Sequence, residues 1–293
     1  MANINTEGKG GIVTLVGEEH QQGLKLPTLH LKNFRIVRTK SNMKIQYCSD
    51  LHLEFPENKN FMEENPIIAE GEVLILAGDI IPFSRINKAN EFFDYLSGSF
   101  EKVWWIPGNH EYYHYDLVEK KGTFNEQVRD NVHLVNNSTF DYRNVRFVFS
   151  TLWSRISPPN AWEISRALND FQLITCNGNR LTPDDYNQLH INSLEFLNNE
   201  LVNKSVKTVV VTHHVPTFLN YPQKYKADVL NEAFASELFE QVEASQANYW
   251  IYGHHHQYVE PFTIGTTTLL TNQLGYVKHG EHAYFKNDRC FEI

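Results

Sequence analysis

The sequence is poor in cysteine and in long apolar runs. Its three cysteines, Cys48, Cys176 and Cys290, are odd in number and far apart, so they predict neither a disulfide framework nor a zinc finger. No apolar run approaches the ~18 residues that a membrane-spanning helix needs. The N-terminus shows no basic segment followed by an apolar core, as a secretory signal would have. We therefore expect a cytoplasmic protein with no membrane partner.

Positive charge is scarce as well. The chain has 26 Lys and Arg against 35 Asp and Glu, which gives a formal net charge of −9. This balance argues against broad contact with nucleic acid or with an anionic membrane surface, and leaves only a local basic groove for such binding.

Apolar residues are plentiful enough for a large core. The chain has 293 residues, of which 41% are hydrophobic and 13% aromatic, which is enough for one large domain or two small ones. Residues 1–42 hold five glycines and only weak alternation, in 11–16 and 29–34, that could form a hairpin or an added edge strand. We expect 1–42 to be an N-terminal extension of unknown role and 43–293 to be one domain.

Apolar segments that end in a polar side chain are the main pattern of this domain. Residues 73–77 are apolar and lead into Gly78 and Asp79, which predicts a buried strand that ends at a carboxylate. Four more segments end in the same way, at Asp50 and His52, at Asn109 and His110, at His213, and at His254 and His256. Because α/β sheets keep their chemistry at this edge, we expect these side chains to meet around Asp79. Nitrogen and oxygen donors of this kind suit divalent transition metals.

The remaining segments predict the layers that cover the sheets. Helices are expected at 87–96, in part of 112–128, at 182–201 and at 231–244, and strands at 132–135, at 145–150 and from 258 onward. Thr182 and Pro183 form a strong helix start. The stretch 154–181 has little pattern and predicts a binding loop, in which Arg155 and Arg166 could clamp a phosphate or simply be solvated. Alternating strands and helices fit a layered α/β sandwich.

The polar motifs are weak singly and strong together. By chance, Gly-Asn-His is expected about 0.07 times and Gly-His-x-His about 0.03 times in a chain of this composition. The four motifs are Asp-x-His, Gly-Asp, Gly-Asn-His and Gly-His-x-His. Their occurrence in this order, each after an apolar strand, has a chance probability on the order of 10⁻³ or less. Alone, Asp79 could be a strand-end cap and His52 a core histidine, but the ordered set favours one shared site.

In this combination the sequence resembles the calcineurin-like metallophosphoesterases. The motifs that carry the resemblance are Asp50-x-His52, Gly78-Asp79, Gly108-Asn109-His110-Glu111, His213 after its strand, and Gly253-His254-x-His256. The resemblance covers residues 43 to about 260 of the chain. It implies a four-layer α/β/β/α sandwich, in which two mixed β-sheets are flanked by helices and a dinuclear metal site lies at the strand ends.

The resemblance also implies a role for each motif residue. The seven expected metal ligands are Asp50, His52 and His256 for one ion, Asn109, His213 and His254 for the other, and Asp79 as the bridge. His110 would be the proton donor, with Glu111 and Asp79 as candidates for orienting it. His214 competes with His213, which we prefer because it comes first after the strand. His255 is expected to point away from the metals.

These roles predict an enzyme that hydrolyses phosphate mono- or diesters. Two divalent ions ~3.5–4 Å apart would lower the pKa of a bridging water, so that a hydroxide could attack phosphorus while His110 protonates the leaving alkoxide. Nitrogen and oxygen ligation without thiolate suits Mn, Fe, Zn, Co or Ni better than Ca. The expected substrate is a small-molecule phosphoester, for example a nucleotide.

Other interpretations of the same motifs are less favoured. Protein Ser/Thr phosphatases of this superfamily continue Gly-Asp into Asp-Arg-Gly, whereas this chain continues into Ile80 and Ile81. A nuclease of this fold usually adds a DNA-binding region, and no basic segment is visible. A non-catalytic metal-binding scaffold or protein-interaction module is the alternative from another class. Because the chain keeps all the expected ligands and His110, we favour the enzyme.

Overall fold

The fold is built on two mixed β-sheets. The computed structural model describes residues 42–202, 206–225 and 228–293. The hairpin or edge strand considered at 11–16 and 29–34 lies outside these ranges, so the N-terminal extension stays a prediction. Among the described helices, none is long and apolar enough to cross a membrane.

Short strands and helices alternate along the chain. The strands are β1 Lys44–Cys48, β2 Val73–Ala77, β3 Lys102–Ile106, β4 Tyr115–Asp116, β5 Phe124–Arg129, β6 Val132–Asn136, β7 Ser138–Tyr142, β8 Val145–Ser150, β9 Ile174–Cys176, β10 Asn179–Arg180, β11 Lys207–Thr212, β12 Tyr249–Ile251, β13 Phe262–Ile264, β14 Thr267–Leu270 and β15 Cys290–Glu292. The α-helices are α1 Pro56–Glu64, α2 Asn90–Ser99, α3 Ala161–Ala167, α4 Asp170–Leu173, α5 Pro183–Glu200 and α6 Phe239–Ser245. Short 3₁₀ helices are Phe83–Ala89, His110–Tyr112, Leu117–Glu119, Gln223–Tyr225, Val229–Ala233, Val277–His279 and Glu281–Tyr284.

Parallel pairing at the centre of each sheet sets the place of the site. The first sheet has the order β15-β1-β2-β3-β6-β5 and the second β13-β14-β12-β11-β8-β7. In the first sheet β1, β2, β3 and β6 are parallel, and in the second so are β8, β11, β12 and β14. The outer strands β15, β5, β13 and β7 pair antiparallel. The carboxyl ends of the central strands therefore lie at one edge of each sheet.

The two sheets pack face to face through their apolar side chains. Ile75 and Trp104 of the first sheet belong to the same buried cluster as Phe147 and Val211 of the second. The outer face of the first sheet packs against α2, where the Phe93 ring stacks on the Trp105 ring.

The outer face of the second sheet is covered by α5 and α6. Leu197 of α5 and Val242 of α6 share a buried cluster with Trp250 of β12. Helices thus lie outside both sheets, and the four-layer α/β/β/α sandwich expected from the sequence is confirmed.

Two predictions between the main elements were wrong, and a third was met only in small part. Within 112–128, expected to be helical in part, Leu117–Glu119 form a short 3₁₀ helix, whereas 124–129 form strand β5 and pair with β6 at the edge of the first sheet. The helix expected at 231–244 begins only at Phe239; before it, the backbone around Ala235 bridges to Val215. The stretch 154–181 contains α3, α4, β9 and β10. For β5 and for Ala235, pairing with another segment decides the structure, and local patterns do not show such pairing.

The start of α5 offers a test of local stability. Thr182 Oγ1 accepts a bond from Asp185 N at 3.2 Å, and Asp185 Oδ2 accepts one from Thr182 N at 3.1 Å. Because this capping box satisfies two backbone donors, Thr182→Ala is expected to lower the free energy of unfolding by about 1 kcal/mol in urea titrations. Thr182→Ser, which keeps the hydroxyl, should retain most of the wild-type free energy of unfolding. An Ala variant as stable as the wild type would contradict this role.

Candidate metal centre

The carboxyl ends of the central strands bring the predicted site residues together. Asp50 and His52 follow β1, Asp79 follows β2, Asn109 and His110 follow β3, His213 follows β11, and His254 and His256 follow β12. All are buried except His256, whose side chain is 11% exposed. The two sheets are also joined directly, because His254 N donates to Asp50 Oδ1 at 3.0 Å.

One group of possible ligand atoms lies between the ends of β1, β2 and β12. Single nitrogen or carboxylate oxygen atoms of Asp50, His52, Asp79 and His256 all lie within 4.8 Å of one another. His52 Nε2 is 3.0 Å from His256 Nε2 and 3.8 Å from Asp79 Oδ2. His256 Nε2 is 3.3 Å from Asp50 Oδ1. Two imidazole nitrogens and two carboxylate oxygens around one point suit a divalent transition metal.

A second group shares Asp79 with the first. Ligand atoms of Asp79, His213 and His254 also lie within 4.8 Å of one another. His213 Nε2 is 3.4 Å from Asp79 Oδ2 and 3.0 Å from His254 Nδ1. A carboxylate common to two groups is what a pair of neighbouring cations requires, because it offsets the repulsion between them.

The amide of Asn109 provides a test of whether a cation fits here. Asn109 Nδ2 donates to Asp170 Oδ1 at 2.8 Å, which leaves the amide oxygen free. Asn109 Oδ1 is buried and has no hydrogen-bond partner among the described residues. Leaving a buried acceptor unpaired costs about 1–3 kcal/mol. Because Asn109 lines the same cavity as Asp79 and His254, a cation beside them would satisfy this oxygen.

The four imidazoles that could bind metal are each held through the ring nitrogen that faces away. The contacts are His52 Nδ1 to Glu54 Oε1 at 3.3 Å, His213 Nδ1 to Ala77 O at 2.9 Å, His254 Nε2 to Ala233 O at 3.4 Å, and His256 Nδ1 to Glu281 Oε2 at 2.8 Å. Such partners fix the ring and its tautomer, so the other nitrogen of each ring faces the centre.

The backbone of the site is strained where the candidate ligands sit. Positive φ angles occur at Asp50 (56°), His52 (47°), Asp79 (56°), His254 (81°) and His256 (52°). A non-glycine residue in this region costs roughly 1–2 kcal/mol. Strain of this kind gathers at functional sites, where the surrounding fold holds it in place.

Burial and neighbouring charges act in opposite directions on the carboxylates. Burial alone would raise the pKa of Asp79, but His213, His110 and His52 outweigh it and hold the pKa well below its usual value. The pKa of Asp50 is lowered in the same way, against its burial, chiefly by His256. Both groups are therefore ionised at neutral pH and present negative charge to a cation.

The neighbouring histidines lie outside both groups. His214 Nε2 lies 3.2 Å from the hydroxyl of Tyr186, and burial together with His213 lowers the pKa of His214 to about 3. His255 Nδ1 lies 3.1 Å from Gln273 Nε2, and burial lowers its pKa to about 3. The structure thus brings His213 rather than His214 close to Asp79. The His255 ring contacts Gln273 and belongs to neither group of candidate ligands.

His110 lies beside the two groups that contain Asp79, and forms a third set of atoms within 4.8 Å of one another with His52 and Glu54. Both nitrogens of its ring have partners. Its Nδ1 is 2.9 Å from Glu54 Oε1, and its Nε2 is 3.3 Å from the hydroxyl of Tyr276. Its ring packs on Tyr113, with a centroid distance of 4.1 Å. Glu111 does not orient this ring, because its carboxylate accepts bonds from backbone amides instead, including Asp79 N at 2.9 Å.

Sequence reasoning missed four residues of this site: Glu54, Asp170, Tyr276 and Glu281. Glu54 follows His52 by two residues, which is a weak local signal. In the sequence, Asp170 is one of two acids in an unpatterned stretch. The last two lie beyond the motifs, where nothing local indicates their contacts. Arg155 and Arg166, the arginines considered as phosphate clamps, are exposed, and neither lines the cavity.

A cavity of about 350 Å³ opens on the candidate ligands. Asp79, Asn109, His110, His254 and His256 line one part of it. Aromatic and aliphatic side chains line much of the rest, namely Tyr113, Tyr221, Tyr225, Leu230, Phe234 and Tyr276. The candidate metal centre is therefore open to a small molecule through a pocket whose wall is polar in part and apolar in part.

Comparison with known proteins agrees with this geometry. The sequence profile of the calcineurin-like phosphoesterase family matches residues 43–258. An uncharacterised protein of Acanthamoeba polyphaga mimivirus is 33% identical over 262 residues, which cover 79% of this chain and 91% of that protein. The chain therefore belongs to the calcineurin-like phosphoesterase family, a class of metal-dependent hydrolases of phosphoesters.

A solved structure shares the fold. Phosphopantetheinyl hydrolase from Mycobacterium tuberculosis superposes with a TM-score of 0.62 at 17% identity, over 86% of this chain and 96% of that one. At this identity the likeness concerns the arrangement of the sheets and helices.

Gly108 offers a test of how closely the backbone must approach the centre. A Cβ atom on Gly108 would lie 2.2 Å from Asp79 Oδ1 and 2.5 Å from His213 Nε2. Gly108→Ala should therefore displace candidate ligands and weaken Mn²⁺ affinity by roughly 10- to 100-fold, the loss usual when ligand orientation is disturbed. Calorimetric titration of the variant and the wild type with Mn²⁺ measures this change in affinity.

Gly98→Ala is the matched control for that variant. A Cβ atom there would meet nothing within 4 Å, and Ala favours the helix in which Gly98 lies. Equal Mn²⁺ affinity of the two variants would show that the close approach at Gly108 does not matter for metal binding.

Proposed function

We propose that this protein hydrolyses phosphate mono- or diesters of small molecules, with two divalent transition-metal ions and His110 as the general acid. The observation that supports this most is the Asp79 carboxylate, which belongs to two of the three groups of ligand atoms. The unpaired Asn109 Oδ1 beside them supports a cation at the second group.

Seven side chains would hold the metals. Asp50, His52 and His256 would bind one ion, Asn109, His213 and His254 the other, and Asp79 both. When bound, the ions would lower the pKa of a water molecule and stabilise charge on the phosphoryl oxygens. The donor set has imidazole, carboxylate and amide groups and no thiolate, which suits Mn, Fe, Co, Ni or Zn.

The leaving group would be protonated by His110. As the oxygen of a water molecule that has already lost one proton to solvent forms its bond to phosphorus, the ester bond from phosphorus to oxygen breaks and its electron pair stays on the ester oxygen. His110 Nε2 donates a proton to that oxygen, which makes the departing group a neutral alcohol. Because Nε2 lies 3.3 Å from the Tyr276 hydroxyl and both residues line the cavity, the leaving group would sit beside Tyr276.

The pocket favours an uncharged leaving group. No Lys or Arg is among the described residues that line it, whereas a second phosphate would require cationic side chains. The aromatic rings and Leu230 suit a planar or apolar leaving group, because burying apolar surface of that group against them is favourable in free energy. A nucleoside monophosphate is one small molecule of this kind.

Two variants separate metal binding from proton donation. Asp79→Asn should lower both metal content and rate, because the shared carboxylate loses its charge. His110→Ala should keep both metals and lower the rate on an alkyl phosphate by roughly 10²- to 10⁴-fold, the usual contribution of a general acid. Elemental analysis and steady-state kinetics with Mn²⁺ measure these effects.

The results that would contradict the proposal are distinct. Loss of a metal from His110→Ala would overturn its assignment as the acid. A wild-type protein that holds metal but hydrolyses neither p-nitrophenyl phosphate nor bis-p-nitrophenyl phosphate would favour a non-catalytic scaffold.

The apolar part of the pocket is tested by Leu230→Ala. Because a buried leucine contributes roughly 1.5–3 kcal/mol, removing part of that burial against the substrate should raise KM for naphthyl phosphate about tenfold. KM for glycerol 3-phosphate should not change, since its small polar leaving group has little apolar surface to bury against a leucine. Leu219→Ala is the control, because Leu219 is 42% exposed and does not line the cavity. Equal effects on both substrates would refute an apolar subsite.

A further inference from the structure

We propose that Glu54 is a positioning residue, whose carboxylate holds the His110 ring so that Nε2 faces the leaving group. The inference rests on the proposed function, in which His110 is the acid. It concerns a residue outside the expected ligand set, contributed by the turn between β1 and α1.

The contact between the two side chains is short and shielded from water. Glu54 Oε1 lies 2.9 Å from His110 Nδ1, and the two side chains are only 6% and 9% exposed. An ionised carboxylate can only accept hydrogen bonds, so Nδ1 must carry the hydrogen in this pair. The ring's other nitrogen, Nε2, is then left for the cavity, on the side of Tyr276.

Packing restricts the remaining freedom of the ring. The His110 ring lies 4.1 Å from the Tyr113 ring, centroid to centroid, and meets the edge of the His52 ring at 4.4 Å. With one nitrogen held by Glu54 and two aromatic rings packed against it, rotation of the ring would break a buried hydrogen bond. Such a bond to a charged group contributes about 1.5–3 kcal/mol.

The other carboxylates near His110 have different partners. Glu111 accepts bonds from Asp79 N at 2.9 Å, from Ile80 N at 2.6 Å and from Gly108 N at 2.6 Å, and so holds the turns after β2 and β3. Asp79 Oδ1 accepts from the backbone N of His110 at 2.9 Å, which places the residue without turning its ring. Among the described residues, Glu54 is the carboxylate within hydrogen-bond distance of the His110 ring.

The Glu54 carboxylate is only partly paired. Its second oxygen, Oε2, is buried and has no hydrogen-bond partner within the described part of the chain. A buried carboxylate that is only partly paired is destabilising relative to an apolar side chain of similar size. Its presence beside His110 therefore agrees with a role in the reaction better than with a role in stability.

Glu54 also touches a candidate metal ligand, so its role must be separated from metal binding. Glu54 Oε1 lies 3.3 Å from His52 Nδ1. Glu281 offers a matched comparison, because it is also a carboxylate on a histidine Nδ1, at 2.8 Å from His256. If Glu54 acts through His110, its loss should resemble loss of the acid, whereas loss of Glu281 should resemble loss of a metal.

The experiment compares two leaving groups in the manganese-loaded protein. Glu54→Ala and the isosteric Glu54→Gln should lower the rate about 100-fold on an alkyl phosphate, whose leaving group needs a proton. On p-nitrophenyl phosphate the loss should stay below about 5-fold, because nitrophenolate leaves without one. Adding Glu54→Ala to His110→Ala should cost nothing further. Glu281→Gln should slow both substrates equally.

Two readouts do not depend on turnover. Because the contact of Glu54 with His52 is long, at 3.3 Å, whereas that of Glu281 with His256 is 2.8 Å, elemental analysis at saturating Mn²⁺ should find full metal content in both Glu54 variants and a lower content in Glu281→Gln. In the metal-free protein, nitrogen NMR should show the His110 hydrogen on Nδ1 in the wild type and redistributed in Glu54→Ala.

Several outcomes would overturn the inference. These are equal losses on both substrates, a further loss when Glu54→Ala is added to His110→Ala, metal loss from the Glu54 variants, or an unchanged His110 NMR signal. If the wild type turned over neither substrate, the proposed function would fail, and the NMR comparison would still decide whether Glu54 holds the ring.

Discussion

The shared carboxylate of Asp79 is the contact on which the rest of the site depends. Its Oδ2 lies 3.8 Å from His52 Nε2 and 3.4 Å from His213 Nε2, so it connects donors carried by both sheets. Its Oδ1 accepts from His110 N, which ties the candidate acid to the same group. Both sheets must therefore keep their relative position to within a fraction of an ångström, and the apolar layer between them provides that rigidity.

This arrangement destabilises the fold around the site. It buries several charged or polar groups, leaves Asn109 Oδ1 and Glu54 Oε2 without partners in the described chain, and strains the backbone at Asp50 and Asp79. Each of these features lowers stability, and each becomes useful if cations occupy the centre and a phosphoester binds in the pocket. The sheets and their covering helices offset the cost through extensive apolar burial.

The parts of the structure that follow local rules could be predicted. A strand such as Val73–Ala77, buried on both faces, is a continuous apolar run that ends at the sheet edge, so both the strand and the position of Asp79 follow from the sequence. The capped start of α5 at Thr182 is equally local. Strand β5 was missed because most of its residues are exposed or half-buried and it is held by its pairing with β6.

The partners that orient the site could not be predicted in this way. Asp170 reaches Asn109 from 61 positions away, and Glu281 reaches His256 from 25. Only the folded chain brings such pairs together, and an isolated acid in a sequence carries no sign of which imidazole or amide it will meet. Glu54 is nearer to its motif, but its contact with His110 spans 56 positions.

Anomalous diffraction from crystals grown with Mn²⁺ would show whether Asp79 joins two cations. We expect two manganese peaks roughly 3.5–4 Å apart, with the Asp79 carboxylate between them and Asn109 Oδ1 at the peak that His213 and His254 share. A single peak, or peaks that do not contact Asp79, would refute a shared carboxylate.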